Sequence, residues 1–528
     1  MAFASSSSSS TAATPPPRSY ASAIEALNTL QSNAATIAAT RAAGGKYNDW
    51  LIPEMVEYLE RAGHSQQELD RLNVIHITGT KGKGSTAAFS NSLLLKALAD
   101  QENGDGTVST PGPKVGLYTS PHMLLVRERI RLDGMPIDEE TFTRAFWRIW
   151  DAFEATADQR ARPEVTPARP VYFKFLTVLA LHIFLSMPSI RAVILEVGIG
   201  GRYDSTNIVP KPVACGISTL SLDHQVILGN SIEEIASQKA GIYKRGAPAI
   251  SVAQPFKQTE AVLRKAAEDV GAKELKVLPE VAESPVSSIR LGLPGPHQVS
   301  NAQLALNLVD CYLKAQGIAK SVWKDDGSPS EWATDALASA RWPGRCQIVP
   351  TSSATFYLDG AHTSDSLALC AQWWQLESPA SASDVERTLI FNCTNGRNAN
   401  ELLSAILSAV ANGASYFTRI VFCTNIPYRP GARSGGDLTN NMVDSNEVQS
   451  LSVQRDLQSA WAQLVKPAAV DNVHVLPSIE DALDTFKGPS SLKRQHVMVA
   501  GSLHLVGGVM SHLKDAGALD EKLEAVQA

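Results

Sequence analysis

The sequence lacks cysteine pairs spaced as Cys-x-x-Cys, apolar runs long enough to span a membrane, and an excess of positive charge. Its six cysteines are scattered over 528 residues, which argues against a zinc site or a disulfide framework and favours a reducing compartment. No apolar run approaches the roughly 20 residues that a membrane-spanning helix needs. The formal net charge of −6 gives no general attraction to nucleic acid or to an anionic membrane.

What the sequence does contain is typical of a globular α/β protein with more than one domain. A chain of 528 residues is too long for one ordinary core, and we expect two or three domains. Predicted strands alternate with predicted helices, which favours mostly parallel sheets covered on both faces. We predict a tail over residues 1–19, a first domain over 20–338 and a smaller second domain over 341–528.

The N-terminal tail is of low complexity. Residues 1–17 are mostly Ser, Ala, Thr and Pro, which cannot bury enough apolar surface to order themselves. Up to residue 40 the chain has one acidic residue, Glu25, and one basic residue, Arg18. The acid-poor composition fits a mitochondrial transit peptide, although such peptides are usually richer in Arg. Targeting and a plain disordered tail both stay open here.

The most informative stretch is VIHITGTKGKGST at residues 74–86. A β-branched run is followed by a glycine-spaced turn, a lysine and two hydroxyls, and residues 87–98 are predicted to be helical. This order forms a phosphate cradle, because backbone N–H groups and the positive end of the helix dipole face the anion. In such a cradle, Lys83 reaches the outer phosphates and Ser85 ligates magnesium.

The spacing of this loop differs from the common pattern G-x-x-x-x-G-K-[ST]. Its lysine follows Gly82, three residues after Gly79, and Gly84 separates the lysine from Ser85. For this stretch alone, the alternative is a Gly-rich turn without a ligand. The variant spacing resembles the phosphate loop of the Mur ligase superfamily.

Two polar residues stand at the ends of further predicted strands. Ser120 follows a strand predicted at 114–119, and Glu196 lies in the one predicted at 192–197. Ligands of parallel sheets bind at the carboxyl ends of the strands. A carboxylate there, before the glycine run at 198–201, is placed to hold a metal on phosphates. The alternative is a carboxylate that only caps the loop.

Five further residues are candidates whose individual alternatives are structural. His224 follows a predicted strand, and Lys239 lies on a helix predicted at 232–243; such residues are usually a core histidine and a solvated charge. Asn301 lies near the first turns of a predicted helix, where N-capping is the alternative. Arg345 and Asp359 stand at the start of the second domain, where they could complete a phosphate site across a cleft.

Taken together, these segments resemble the eukaryotic folylpolyglutamate synthases of the Mur ligase superfamily, from about residue 20 to the GSLH at 501–504. Seven motifs in the family's order make the resemblance specific. It implies an N-terminal P-loop ATPase domain like that of the Mur ligases and a smaller C-terminal Rossmann-like domain. The motifs are GTKGKGS (79–85), YTSPHMLLVRERIRLDG (118–134), LEVGIGGRYDSTNIV (195–209), LDHQVILGNSIEEIASQKAGIYK (222–244), GPHQVSNAQLA (295–305), RWPGR (341–345) and LDGAH (358–362).

The resemblance also implies ligands and residue roles. It implies an ATP-dependent ligase that adds L-glutamate to the γ-carboxylate of a reduced folate, with Mg²⁺ and a monovalent cation such as K⁺, acting as a monomer in the cytoplasm, the mitochondrion or both. Lys239 matches a lysine that is carbamylated in related enzymes. The catalytic residues implied are Lys83, His224 and Lys239; the ATP-binding residues are Gly79, Gly82, Lys83, Gly84, Ser85, Asn301, Arg345 and Asp359; the metal ligands are Ser85, Ser120, Glu196 and His224.

Two departures and three rival interpretations accompany the resemblance. Thr363-Ser364 replaces the Asn-Pro of many bacterial relatives, and Lys81 replaces an Asn; both departures look eukaryotic.

The nearest rival is a dihydrofolate synthase, with dihydropteroate as acceptor. A non-catalytic folate- or nucleotide-binding protein is a second. A P-loop kinase is the third, and the loop spacing disfavours it.

Overall fold

A computed structural model describes most of the chain. No helix in this part of the chain is both long and apolar enough to cross a membrane. The predicted tail at residues 1–17 lies outside the described residues. The described residues are 18–31, 49–99, 111–379, 381–382, 384–393, 396–429, 437, 450–465, 472–486 and 493–519.

Within these ranges the first sheet has eight strands in the order β4-β3-β2-β5-β1-β6-β7-β8. Six neighbouring strands pair in parallel, namely β2, β5, β1, β6, β7 and β8. Strands β3 and β4 add an antiparallel edge beside β2. A parallel sheet brings the carboxyl ends of its strands to one edge, where ligands bind. The strands are β1 (Val74–Thr78), β2 (Val115–Tyr118), β3 (Ile130–Leu132), β4 (Met135–Pro136), β5 (Ala192–Glu196), β6 (Ala214–Ile217), β7 (Ala249–Ser251) and β8 (Leu275–Val277).

Helices cover both faces of this sheet. Ile75 and Ile77 belong to a buried cluster with α3, α9 and α10, whereas Val74 belongs to a cluster with α1, α2, α4 and α5. Because successive side chains of a strand point to opposite faces, β1 separates two cores. The helices are α1 (Tyr20–Asn28), α2 (Leu51–Arg61), α3 (Lys83–Ala99), α4 (Glu139–Ala155), α5 (Tyr172–Leu185), α6 (Gln225–Leu228), α7 (Ile232–Ala240), α8 (Gln258–Val270), α9 (His297–Ala315) and α10 (Glu331–Ser339).

The second sheet has six strands among the described residues, in the order β13-β12-β11-β14-β10-β9, and only β9 is antiparallel to its neighbour. The predicted fold class, two mostly parallel α/β sheets, is confirmed. The elements are β9 (Gln347–Pro350), β10 (Thr355–Leu358), α11 (Ser364–Glu377), β11 (Val385–Phe391), α12 (Ala399–Ala409), β12 (Arg419–Cys423), α13 (Ser452–Leu464), β13 (Val473–Leu476), α14 (Ile479–Asp484), β14 (Arg494–Ala500) and α15 (Leu503–Asp515).

The two sheets separate between β8 and β9. Helix α10, which lies between them in the chain, joins the core of the first sheet through Ala333, Ala336 and Leu337. The predicted domain limits at residues 338 and 341 stay a prediction.

One predicted helix start was wrong. The helix after the phosphate loop begins at Lys83 and not at residue 87. The prediction took the glycines and hydroxyls at 82–86 as loop residues because they have low helix propensity. The earlier start places Lys83 and Ser85 in the first helical turn, where amide N–H groups have no partner within the helix.

A pair of histidines lies in the first domain away from the strand ends. His64 Nε2 and His182 Nδ1 are 2.8 Å apart. Burial lowers the pKa of both rings, and that of His182, on α5, falls to about 4. A hydrogen bond between two imidazoles needs one unprotonated nitrogen, so the pair is stable while the rings are neutral.

We expect the folded chain to lose stability between pH 6.5 and pH 4 through His182. The unfolded ring takes up a proton near pH 6.5, whereas the folded ring resists until about pH 4, so acid favours the unfolded state. Between pH 7 and pH 5 the loss is about 2 kcal/mol. Urea unfolding at both pH values would measure it, and His182→Gln should lose about 2 kcal/mol less over that interval. Equal losses in the two proteins would contradict the assignment.

Candidate active site

The loop between β1 and α3 lies at the centre of the first sheet's carboxyl edge, because β5 and β6 flank β1. The N–H groups of Thr80 and Lys81 donate to the carbonyl of Thr219 at 2.9 and 3.1 Å, which ties the loop to the segment after β6. Gly82 has a φ of 88°, a conformation that glycine adopts without steric cost. A Cβ there would lie 2.1 Å from Oδ1 of Asn301, so α9 closes one side of the loop.

Two lysines converge on one carbonyl in this loop. Lys83 Nζ donates to the Gly79 carbonyl at 2.9 Å, and Lys239 Nζ donates to the same oxygen at 2.7 Å. Burial lowers the pKa of both ammonium groups, that of Lys239 to well below its usual value. The charge of Lys83 lowers the pKa of Lys239 further, whereas the Asp223 carboxylate opposes the fall for both lysines. Two partly desolvated cations that share a neutral acceptor form a site that favours an anion.

Glu196 ends β5 and is buried, with 4% of its surface exposed. Its Oε2 accepts a hydrogen bond from the Ser120 N–H at 3.3 Å. Burial raises the pKa of Glu196 to about 7, although the charges of Lys83 and Arg345 oppose the rise. A Cβ at Gly84 would lie 3.8 Å from Oε2. The carboxylate therefore stands beside the first turn of α3, as the strand-end prediction expected.

His224 follows β6 and is more exposed than Glu196. It has a left-handed backbone with φ of 51°, directly before α6, and about half of its side chain is exposed. Its Nε2 is 4.0 Å from Oδ2 of Asp223. Burial lowers the pKa of its imidazole, and the nearby charges of Lys83, Lys239 and Arg397 act in the same direction.

The predicted metal ligands include one buried carboxylate, that of Glu196. Among the described residues, no three Asp, Glu, His or Cys side chains converge as a metal site. Mg²⁺ is commonly held by one or two carboxylates together with water and substrate phosphates. The buried carboxylate of Glu196, with Ser120 and the buried Ser85 of α3 nearby in the fold, suits that chemistry, because all three offer hard oxygen ligands. The ligand role of each residue stays a prediction.

Arg345 and Asp359 bring the second domain to the same place. Asp359 accepts hydrogen bonds from the backbone N–H groups of Cys346 and Ala361, both at 2.8 Å, so its carboxylate shapes the turn that carries Arg345. The charge of Arg345 lowers the pKa of both Glu196 and Lys83. The predicted approach of Arg345 across the cleft agrees with these electrostatic contacts.

A second contact between the domains involves the loop itself. Lys81 Nζ lies 3.0 Å from Oδ2 of Asp365, in the first turn of α11. Asp365 is 80% exposed, and exposed ion pairs contribute little free energy. The pair marks where the domains meet without holding them together.

A cleft lies between the domains. Its lining comes from the first domain on one side and from the linker and second domain on the other. The lining residues are Gly84, Thr119, Ser120, Pro121, His122, Met123, Glu128, Arg131, Glu196, Trp342, Pro343, Arg345 and Leu503.

Sequence reasoning singled out the motifs YTSPHMLLVRERIRLDG and RWPGR but missed several of their side chains. The guanidinium of Arg131 lies 5.2 Å over the ring of Trp342. Arg129 Nε donates to His122 Nδ1 at 3.0 Å, and both residues are buried. No local sequence signal marks these arginines, because only the structure shows that their charged side chains are buried.

The chain is similar in sequence to known proteins over nearly its whole length. A family model described as "Dihydrofolate synthetase, C-terminal domain" matches residues 345–512. The folylpolyglutamate synthase of Saccharomyces cerevisiae (strain AWRI796) is 37% identical over 497 residues, covering 93% of this chain and 86% of the relative. The one from Candida albicans is 37% identical over 512 residues, covering 93% and 96%. The chain belongs to the folylpolyglutamate synthase family.

Solved structures support the fold of this family member. The Mycobacterium tuberculosis folylpolyglutamate synthase complexed with ADP has a TM-score of 0.66 at 22% identity, covering 93% of this chain and 98% of that chain. Escherichia coli FolC in complex with DHPP and ADP has a TM-score of 0.62 at 23% identity, covering 94% and 98%. The likeness shows that the folylpolyglutamate synthase fold extends over both domains.

Proposed function

We propose that this chain is an ATP-dependent ligase that joins L-glutamate to the γ-carboxylate of a reduced folate and so forms folylpoly-γ-glutamates for one-carbon metabolism. Family membership at 37% identity over nearly the whole chain supports it. The observation that carries it is the convergence of Lys83 and Lys239 on one loop carbonyl beside the buried Glu196, with Arg345 facing them from the second domain.

The chemistry explains why such a site is needed. A carboxylate does not react with an amine at neutral pH, because oxide is a poor leaving group. Transfer of the γ-phosphoryl of ATP to the folate carboxylate forms an acyl phosphate and ADP. The glutamate amine then attacks the acyl carbon, phosphate leaves with the bonding electrons, and the amine loses a proton as the amide forms.

The residues of this chain supply positioning and charge for that sequence. Phosphoryl transfer needs electrostatic stabilisation more than a protein nucleophile. Lys83 exchanges the Gly79 carbonyl for a phosphate oxygen, and the first turn of α3 presents its N–H groups to the same phosphates. Arg345 adds a positive charge from across the cleft. The cleft between the domains limits the access of water to the acyl phosphate.

Mg²⁺ belongs to this proposal, with Ser85, Ser120 and Glu196 as the residues that would hold it and His224 as the ligand of a second ion. When bound, Mg²⁺ neutralises charge on the transferred phosphoryl group. Carbamylation of Lys239 and a bound K⁺ are further parts of the proposal. Carbamylation would replace one of two adjacent cations by an anion, which fits the crowding of Lys83 and Lys239 at one oxygen.

A second candidate function is dihydrofolate synthesis, in which glutamate is added to dihydropteroate. The specific observation that favours it is the description of the family model that matches residues 345–512. An assay with labelled L-glutamate and ATP should compare dihydropteroate with tetrahydrofolate as acceptor and read product length by mass. We expect products from tetrahydrofolate only. Products from dihydropteroate alone would replace the proposal, and the absence of ATP turnover and of products with both acceptors would favour a non-catalytic binding protein.

We further propose that the enzyme is a monomer located in the cytoplasm, the mitochondrion or both. The acid-poor residues 1–40 support mitochondrial targeting. Light scattering during size-exclusion chromatography would measure the mass. Fusions of a fluorescent protein to the full chain and to residues 1–40 would test the location.

Replacement of Gly82 by alanine should weaken ATP binding. The new Cβ would lie 2.1 Å from Asn301 Oδ1, so either the loop or the side chain of Asn301, which is itself a predicted ATP-binding residue, must move. We expect KM for ATP to rise about tenfold or more, because small displacements of a binding group are costly. Steady-state kinetics with varied ATP measure the effect.

Gly246→Ala is the matched control for that variant. Gly246 also has a positive φ, of 73°, but a Cβ there meets nothing within 4 Å. Both variants therefore carry the backbone cost of about 1 kcal/mol or more, and only Gly82→Ala carries the clash. Equal KM values for ATP in the two variants would show that the loop geometry does not determine nucleotide binding.

A further inference from the structure

Asp437 contacts the first domain although it lies between β12 and α13 in the chain. Its Oδ2 accepts a hydrogen bond from the hydroxyl of Tyr20 at 2.6 Å and another from the N–H of Val126 at 3.0 Å. Tyr20 begins α1, and its ring stands edge-on to Phe142 of α4 with the centroids 5.5 Å apart. The carboxylate of Asp437 is therefore held by two elements of the first domain.

The backbone carbonyl of the same residue contacts His122. His122 Nε2 lies 3.0 Å from the Asp437 carbonyl oxygen, and His122 Nδ1 lies 3.0 Å from Nε of Arg129. The Nε–H of arginine can only donate, so Nδ1 must be the acceptor. The neutral ring then carries its proton on Nε2 and donates it to Asp437. Both contacts require the same tautomer.

This chain of contacts ends at the cleft. His122 lines the cleft together with Ser120 and Glu196. His122 and Arg129 are buried, each with less than a tenth of its surface exposed, and the Arg129 guanidinium lies 5.6 Å over the ring of Tyr172. If the Asp437 carbonyl moved away, the buried Nε2–H would lose the acceptor that it has among the described residues. Rotation of the ring toward another acceptor would then remove the Nδ1 acceptor of Arg129. The orientation of Arg129 thus depends on Asp437.

We propose that Asp437 is a positioning residue for the ligase reaction: Tyr20 and Val126 fix its carboxylate, its carbonyl fixes the tautomer and orientation of His122, and His122, which lines the cleft, orients Arg129. This inference rests on the proposed function. It also makes α1 part of the active-site support, because the hydroxyl of Tyr20 is one of the two donors to Asp437.

The test compares variants of the full-length enzyme. In Asp437→Ala both hydrogen bonds to the carboxylate are lost, and we expect KM for L-glutamate or for the folate to rise about fivefold or more while KM for ATP stays within about twofold. Tyr20→Phe removes one hydrogen bond and should have a smaller effect. Asp437→Asn keeps an acceptor oxygen and should restore most of the affinity.

The matched control is Asp151→Ala. It removes the ion pair between Asp151 and Arg18, next to the start of α1, and leaves the contacts of Tyr20 in place. We expect its three KM values to equal those of the unchanged enzyme. A rise equal to that of Asp437→Ala would mean that any weakening of α1 has this effect, and would overturn the proposal.

A second measurement does not depend on activity. With ¹⁵N-labelled histidine, and His122→Gln to assign the signal, the unchanged enzyme should show His122 with Nε2 protonated and Nδ1 not. Asp437→Ala should show a mixture of tautomers. If Asp437→Ala had an unchanged spectrum and unchanged KM values, even with a lower melting temperature, Asp437 would contribute to stability only and the proposal would be overturned. If the unchanged enzyme ligates no glutamate to folate, the proposed function fails, while the spectrum still tests the contacts.

Discussion

Lys83→Ala is expected to lower kcat by about 10³-fold, because a preorganised positive charge next to the transferred phosphoryl group is lost from a partly desolvated site. The ammonium lies 2.9 Å from the Gly79 carbonyl, in the loop that is proposed to hold the phosphates. Formation of ADP and of the glutamylated product, measured together, gives kcat for both halves of the reaction. Turnover at the unchanged rate would show that the loop is not the phosphate cradle.

Lys81→Ala is the control for Lys83→Ala, because both variants remove an ammonium from the same loop. Lys81 pairs with the exposed Asp365 of the second domain, and such a pair contributes at most about 1 kcal/mol. We therefore expect a loss of less than about tenfold. If both variants lost activity equally, the total charge of the loop would matter and the position of Lys83 would not.

Glu196→Gln is expected to lower kcat by about 10²-fold and to raise the Mg²⁺ concentration needed for half-maximal activity. The variant keeps the volume and the hydrogen bond from Ser120, but it removes the one negative charge that this buried strand end presents to the phosphates. A magnesium titration of the activity, at saturating ATP, measures both changes. An unchanged magnesium dependence would rule out Glu196 as a ligand.

The double variant Lys83→Ala/Glu196→Gln tests whether the two residues act as a unit. The charge of Lys83 lowers the pKa of Glu196, and that of Glu196 raises the pKa of Lys83, so they interact in the folded enzyme. Residues that serve one step are strongly non-additive. We expect the double variant to fall within about tenfold of Lys83→Ala alone. Full additivity would place the residues in independent steps.

The parts of the fold that the sequence predicted are those with strong local patterns. The run at 74–86 combines a β-branched strand with glycines at fixed positions, and the structure has β1, the loop and α3 there. The pairing of β2 with β5 brings Ser120 next to Glu196, which follows from parallel topology once both strands are recognised.

The missed parts depend on contacts between distant residues or on very short elements. Strands β7 and β8 have three residues each, too few for periodicity to identify. His122 and Asp437 are 315 residues apart in the chain, and no local pattern connects them. Arg129 and Arg131 were not singled out, because sequence alone does not show that a charged motif folds inward against Tyr172 and Trp342.

The Gly79 carbonyl accepts one hydrogen bond from Lys83 and another from Lys239. Both ammonium groups have shed much of their hydration and rotamer freedom during folding, since one backbone oxygen already holds them. A triphosphate bound at this loop, as proposed, would replace the neutral acceptor of Lys83 by a charged oxygen, and little side-chain entropy would be lost on binding. The lysine is thus preorganised for an anion, and the expected gain in enthalpy comes from the exchange of acceptors.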